Sequence, residues 1–420
     1  MTVVKMVKVL IVMASICGGM AVALAWTFTK SCDELARLGS SKAVGVCQKE
    51  LAQKPDDDNL QLHLGVAYAN QGDDVNAVKW LTKSANQGNT TAQNDLAMMY
   101  VKGEGVTQDY AKAVAWLTKS ANQGVAEAQY NLGGMYYSGR GVTQDYAQAV
   151  EWYTKSANQG LAKAQFNLGS MYVNGQGVAQ DYTKALEWFT KSANQGFAQA
   201  QNSLGLMYAG EQGVTQDHAE AFKWFTKSAN QGNAEAQYVL AVMYQMGQGV
   251  TQDHAEAFKW FTKSAHQGLA RAQYDLGGVY YLGYGTTKDY AKAFKWFTKS
   301  ANQGDAEAQY SLGVMYQQGQ FVKQDDAKAL EWFTKSANQG LAKAQFNLGF
   351  MYNNGQGVEQ DHDKALALYG ESANQGLAEA QHNLGAMYHD GKGIPKNPQT
   401  AKQWFNKACD NGYKDACQYR

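Results

Sequence analysis

One segment, repeated almost without change in length, constrains this chain more than any other feature. Residues 125–160 read VAEAQYNLGGMYYSGRGVTQDYAQAVEWYTKSANQG, and close copies of these 36 residues run from 89 to 412 as nine contiguous units with no net slip in register. A stretch of 34 residues, 55–88, precedes them, has tetratricopeptide length and lacks the G-x-G loop. Residues 413–420 begin a further unit and stop. A repeat this short cannot bury its own apolar surface. It is stable only when stacked on its neighbours, which predicts a one-dimensional array.

Each unit reads as helix, loop, helix, turn. The spacing predicts a first helix over 126–138, with Ala128, Leu132, Met135 and Tyr136 on one stripe of 3.6 period. Gly139 and Gly141 stop it, because glycine adopts the left-handed backbone that a helix end requires. Asp145 is placed to cap the second helix. In the last copy Asn397 replaces that aspartate and Pro398 follows, and proline suits a first helical position. The second helix turns Ala149, Val150, Trp152, Tyr153 and Ala157 inward, and Gly160 ends it. The Trp152 position holds tryptophan from Trp80 to Trp404, except at Leu368. A ring recurring at this spacing reads as core, and burying each is worth about 1.5–3 kcal/mol.

The start of the chain has a different character. Lys5 and Lys8 precede an uncharged apolar stretch, Val9 to Val22, and Ala23-Leu24-Ala25 supplies small residues for cleavage. This is the pattern of a secretory signal peptide over residues 1–25. The alternative is an uncleaved anchor, since the 18 residues from Val9 to Trp26 approach the lower limit for a span. Cleavage would leave a periplasmic or secreted protein with no membrane span. Beyond the leader lie Cys32, Cys47, Cys409 and Cys417, an even number that suits disulfides in an exported chain. Lysine plus arginine and aspartate plus glutamate balance at 37 each, which leaves no excess positive field for a nucleic-acid partner.

The strings L-G-x-M-Y, G-x-G-V-x-Q-D, A-x-A-x-x-W and K-S-A-N-Q-G, in this order and at a 36-residue period, resemble the Sel-1-like repeat family. The resemblance covers 89–412 fully and 55–88 loosely. It implies an all-α, right-handed α/α solenoid related to tetratricopeptide proteins. It also implies a scaffold or adaptor role in signalling, envelope assembly, polysaccharide export or host contact. Glu211 and Phe321 depart from the pattern by replacing loop glycines. Cys409 stands where other units have alanine (Ala157, Ala193) and Cys417 where they have glutamine (Gln165, Gln201). Their eight-residue offset resembles that of a cysteine-rich, exported bacterial branch of the family and implies a Cys409–Cys417 bridge. Cys32–Cys47 is expected to close an N-terminal capping hairpin, residues 26–54, whose second helix draws on 41–59. Residues 413–420 are then a C-terminal capping helix.

Chemistry is hard to find in this sequence. His218, His254 and His362 share a repeat position with Tyr146, Tyr182 and Tyr290, and no ligand set of metal-binding spacing appears. G-x-S-x-G, P-loop and H-E-x-x-H strings are absent. The cysteine-rich branch implies a penicillin-binding or β-lactamase-like alternative, but S-x-x-K and K-T-G are missing, and the recurrent Ser156-Ala157-Asn158 ends a helix. No catalytic residue, metal or cofactor is expected.

Comparison among the units separates what every hairpin needs from what varies. Variation gathers at the positions of Glu127, Gly134 and Tyr137, which share a face of the first helix with Tyr130. First helices line the inner surface of such solenoids, so this predicts a varied concave groove for a protein or extended peptide. Tyr130, Phe166, Tyr238, Tyr274, Tyr310 and Phe346 form an aromatic ladder there, interrupted at Asn94, Asn202 and His382. The rings suit partner binding, including stacking on a glycan in polysaccharide export, or packing against the next hairpin. Phe321 is a further candidate contact.

Overall fold

The computed structural model describes residues 30–210 and 213–419. The leader read in residues 1–25 and the loop departure at Glu211 lie outside the described residues. Among the described residues all regular structure is helical, and no helix is long and apolar enough to cross a membrane. The chain divides into two compact units at Asp145/Tyr146.

In the first unit a short hairpin, Cys32–Arg37 and Ala43–Gln53, precedes the hairpins Asp58–Asn70/Asp74–Asn86 and Thr90–Lys102/Tyr110–Asn122 and the helix Ala126–Ser138. In the second unit hairpins follow one another from the helix Tyr146–Asn158 to Pro398–Asp410. Within each unit a first helix packs on its own second helix and on the second helix before it.

Local chemistry sets the boundaries. Asp109, Asp181, Asp253 and Asp325 each cap a second helix by accepting a hydrogen bond from a backbone N–H of the first turn. Asn397 does the same in the last hairpin, with Pro398 behind it. The helix Ala126–Ser138 has the bounds read from the sequence. The stretch 41–59 does not form one helix. Pro55 disfavours helical backbone in the residue before it, the helix stops at Gln53, and Asp57 caps a new one at Asp58. The chain end from Lys414 to Tyr419 is a 3-10 turn rather than an α-helix.

Glycine within the first helix decides how closely the two helices meet. A Cβ on Gly313 would lie 2.6 Å from the ring of Phe333, so the ring rests on bare backbone. Phe225 on Gly205 and Phe333 on Gly313, each one residue beyond a recurrent tryptophan, are fully buried in this way, whereas Phe261 faces Ala241. The tryptophans themselves are mostly half-buried. Trp224, Trp332 and Trp404 pack outward against the preceding hairpin's core. A lysine three residues on covers the outer face of each ring, at 3.7 Å for Lys263 on Trp260 and 4.2 Å for Lys335 on Trp332.

Two polar series run through the stack. Buried Gln165 donates from Nε2 to the Ala157 carbonyl (3.1 Å), and its Oε1 accepts from Gln195 (2.8 Å). Gln201, Gln237, Gln273 and Gln309 repeat the arrangement. Because both ends of each amide are satisfied, burial costs little. Ser192 and Ser264, fully buried, donate to the carbonyls of Ala162 and Ala234, both at 2.8 Å. In the last hairpin Cys409 and Cys417 bring their sulfurs together, Cα atoms 5.0 Å apart, at the positions that elsewhere hold the alanine–glutamine hydrogen bond. Cys32 and Cys47 pair within the first hairpin, Cα atoms 4.6 Å apart.

Candidate functional site

The face formed by successive first helices carries the features that differ from hairpin to hairpin. All six ladder residues are half-buried. Phe166 lies 5.7 Å from Phe189 and 5.4 Å from Phe197. Tyr238, Tyr274, Tyr310 and Phe346 lie 5.7–5.9 Å from Phe261, Phe297, Phe333 and Tyr369, the buried rings of their own second helices. Three hydroxyls reach the next first helix. Tyr238 faces Asp275, Tyr274 faces Ser311, and Tyr310 faces Asn347. From Phe166 onward the ladder is therefore a packed, half-buried seam.

Asp275 is the one member of this seam that carries a charge in the second unit's tyrosine pairs. Burial pushes its carboxyl up to about 6, against the opposing effects of the Tyr238 hydroxyl and Arg271. Burial also pushes the Tyr274 phenol up to about 12. Other hairpins place Asn131, Asn167, Asn347 and Asn383 at the Asp275 position. A carboxyl raised above its unfolded value of about 3.9 binds its proton more tightly in the folded state. At neutral pH the ionised form therefore destabilises the fold, and that cost fades as pH falls through 6 towards 4. A displacement of this size is worth at most about 3 kcal/mol, reduced to about 1–2 kcal/mol by residual contact with water. Asp275→Asn is expected to raise stability by that amount at pH 7.5 and to leave it unchanged at pH 4. Urea denaturation at the two pH values checks this, and an equal effect at both would contradict it.

Clefts open between consecutive first helices. Val173, Leu206 and Met207 border one of about 170 Å³, along with the polar side chains of Ser170, Asn174 and Ser203. Another, also about 170 Å³, lies among Phe350, Asn353, Asn383, Ala386 and the charged Asp390 and Lys392. A third, about 180 Å³, is bordered by Tyr281, Phe297, Tyr310, Val314 and Met315, with Ser311 as its polar member. Val173, Leu206, Tyr281, Val314, Phe350, Asn353 and Ala386 all belong to the positions that vary among units. Variation and concavity thus coincide. Among the described residues no three of histidine, cysteine, aspartate and glutamate gather as a metal site. The serine of S-A-N is buried and bonded to a backbone carbonyl, so it is not presented as a nucleophile.

Ten consecutive stretches, beginning with 61–89 and 90–125 and ending with 378–413, match the model of the Sel1 repeat. The chain belongs to the Sel1 repeat family. Among solved structures it is similar to a protective antigen present in uropathogenic Escherichia coli strains that displays an SLR fold. The identity is 40%, covering 89% of this chain and 80% of that one, with a TM-score of 0.81. A Sel1 repeat protein from Oxalobacter formigenes is 35% identical over 74% of this chain and 89% of its own, with a TM-score of 0.57. No curated protein matches. Sel1 repeats form α/α hairpin solenoids and generally serve as protein-interaction scaffolds.

Within this Sel1 array one linked substitution was readable from the sequence and was missed. Where Leu368 replaces tryptophan, Glu371 replaces the lysine that would cover it. The freed Glu371 carboxylate instead accepts a hydrogen bond from Gln345 Nε2 at 2.8 Å. The signal was the pairing of two departures three residues apart on one helix. The glycine–phenylalanine contact carried a weaker signal, a glycine retained in mid-helix where propensity disfavours it.

Proposed function

We propose that this protein is an exported, non-catalytic scaffold that binds a protein or extended peptide along the face of its first helices. The observation that carries the reading is the coincidence of clefts with the positions that vary among otherwise uniform hairpins. Packing, capping and turn positions stay constant because each hairpin needs them, whereas a selected surface is free to differ. The basic and apolar leader supports export to the periplasm or beyond, and the two cysteine pairs suit an oxidising compartment. A relative described as a protective antigen is consistent with a location that the immune system reaches.

The ladder rings are poor probes of binding because their removal opens this packed seam. Leu206 and Phe350 are better, being 50% and 39% exposed at two of the clefts. Affinity capture from an envelope extract would compare the wild-type chain with Leu206→Lys/Phe350→Lys, once circular dichroism shows both folded. A partner retained by wild type and lost from the variant is the expected result. Retention by both would move binding off this face, and no partner with either would count against a scaffold.

A further inference from the structure

We infer that the cleft between the first helices Ala270–Leu282 and Ala306–Gln318 is a socket for one large, uncharged apolar side chain of an extended peptide. The inference rests on the peptide-binding reading above and gives it a location and a chemistry. About 180 Å³ is room for a single side chain of leucine or phenylalanine size. Tyr281, Phe297, Tyr310, Val314 and Met315 make the walls apolar. The polar atoms at the rim already have partners. Ser311 donates to the Glu307 carbonyl at 2.9 Å, Tyr310 faces Asn347, and Tyr281 donates to Gln320 Oε1 at 2.6 Å. A sugar needs unoccupied donors and acceptors around its hydroxyls, and these walls supply few. An apolar side chain needs none.

The neighbouring loop provides an independent observation. Phe321 is the non-glycine residue with left-handed backbone among the described residues, at φ 64°. Gly141, Gly177, Gly249 and Gly285 hold its position in other hairpins. A phenylalanine held in a glycine conformation, 59% exposed and with its ring 5.8 Å from Phe294, is costly for folding alone. Exposed Leu282, Tyr284 and Tyr290 lie in the same hairpin as Tyr281. Strain and exposed apolar surface therefore gather beside the most apolar of the clefts, as expected where a peptide continues beyond its anchor.

Methionine methyl NMR on the full chain tests this, because Met315, Met207 and Met387 report separately on the three clefts. The probes are acetyl-Gly-Ser-Phe-Ser-Gly-amide, its alanine counterpart and chitotriose. The phenylalanine peptide is expected to shift the Met315 methyl saturably, and the alanine peptide and chitotriose are not. Val314→Arg should weaken that binding at least tenfold while the Met207 and Met387 resonances stay in place, which shows that the variant is folded. Phe321→Gly should weaken it severalfold without lowering thermal stability. An equal response to the alanine peptide or to chitotriose would overturn the socket. A shift at Met207 or Met387 without one at Met315 would overturn it and leave the wider face standing. A silent Met315 alongside successful capture of a partner would do the same.

Discussion

Phe333→Ala is expected to destabilise the second unit by about 3–5 kcal/mol, the usual cost of removing a fully buried phenylalanine. Trp332→Ala, one residue away, is expected to cost clearly less. The Phe333 ring rests on Gly313, inside the contact between the two helices of one hairpin. Its loss leaves a cavity that rigid helix backbones cannot fill. Trp332 is half-buried, packs on the preceding hairpin and has Lys335 over its open face at 4.2 Å. The chain itself places Leu368 at this position in the next hairpin, where the leucine still packs on the preceding core. Trp332→Leu is accordingly expected to cost only about 1 kcal/mol. Urea denaturation followed by circular dichroism ranks the three variants. A larger loss for Trp332→Ala than for Phe333→Ala would refute this account of the core.

Gly277→Val should destabilise the same unit by about 3 kcal/mol, whereas Gly278→Ala should be neutral or stabilise by up to about 1 kcal/mol. The two glycines are adjacent in one helix and share its backbone geometry. A Cβ on Gly277 would meet the Phe297 ring at 2.6 and 2.7 Å, closer than any real contact, and the branched valine adds two further methyl groups. The ring has nowhere to go, because interiors are close-packed. A Cβ on Gly278 meets nothing within 4 Å, so only the helix preference for alanine over glycine remains. Thermal melts of the two variants against wild type decide the matter. Opposite signs are expected, and equal destabilisation would show that backbone freedom rather than close approach is what Gly277 provides.

The sequence by itself determined what depends on residues near one another in the chain. Helix bounds such as 126–138 follow from a glycine stop and a 3.6-period stripe, and the caps at Asp109 and Asn397 from a side chain reaching two or three residues ahead. The hairpin count and the array follow from the repeat length. Signals of this kind are local, and each unit states them again. Tertiary structure decided everything that depends on how one helix is turned towards another. Trp332 and Phe333 are neighbours on the same apolar stripe, about 100° apart, and only the packing angle shows which one meets Gly313. Packing of the ladder rings, the reading the sequence favours, becomes visible only in their 5.7–5.9 Å approach to the buried second-helix rings. The raised carboxyl of Asp275 arises from burial between repeats, which no window of sequence contains. The clefts are spaces between two helices 36 residues apart, bounded by side chains from both. In the first and last described hairpins the periodic pattern stopped being a guide: Pro55 splits the stretch 41–59, and Lys414–Tyr419 forms a 3-10 turn.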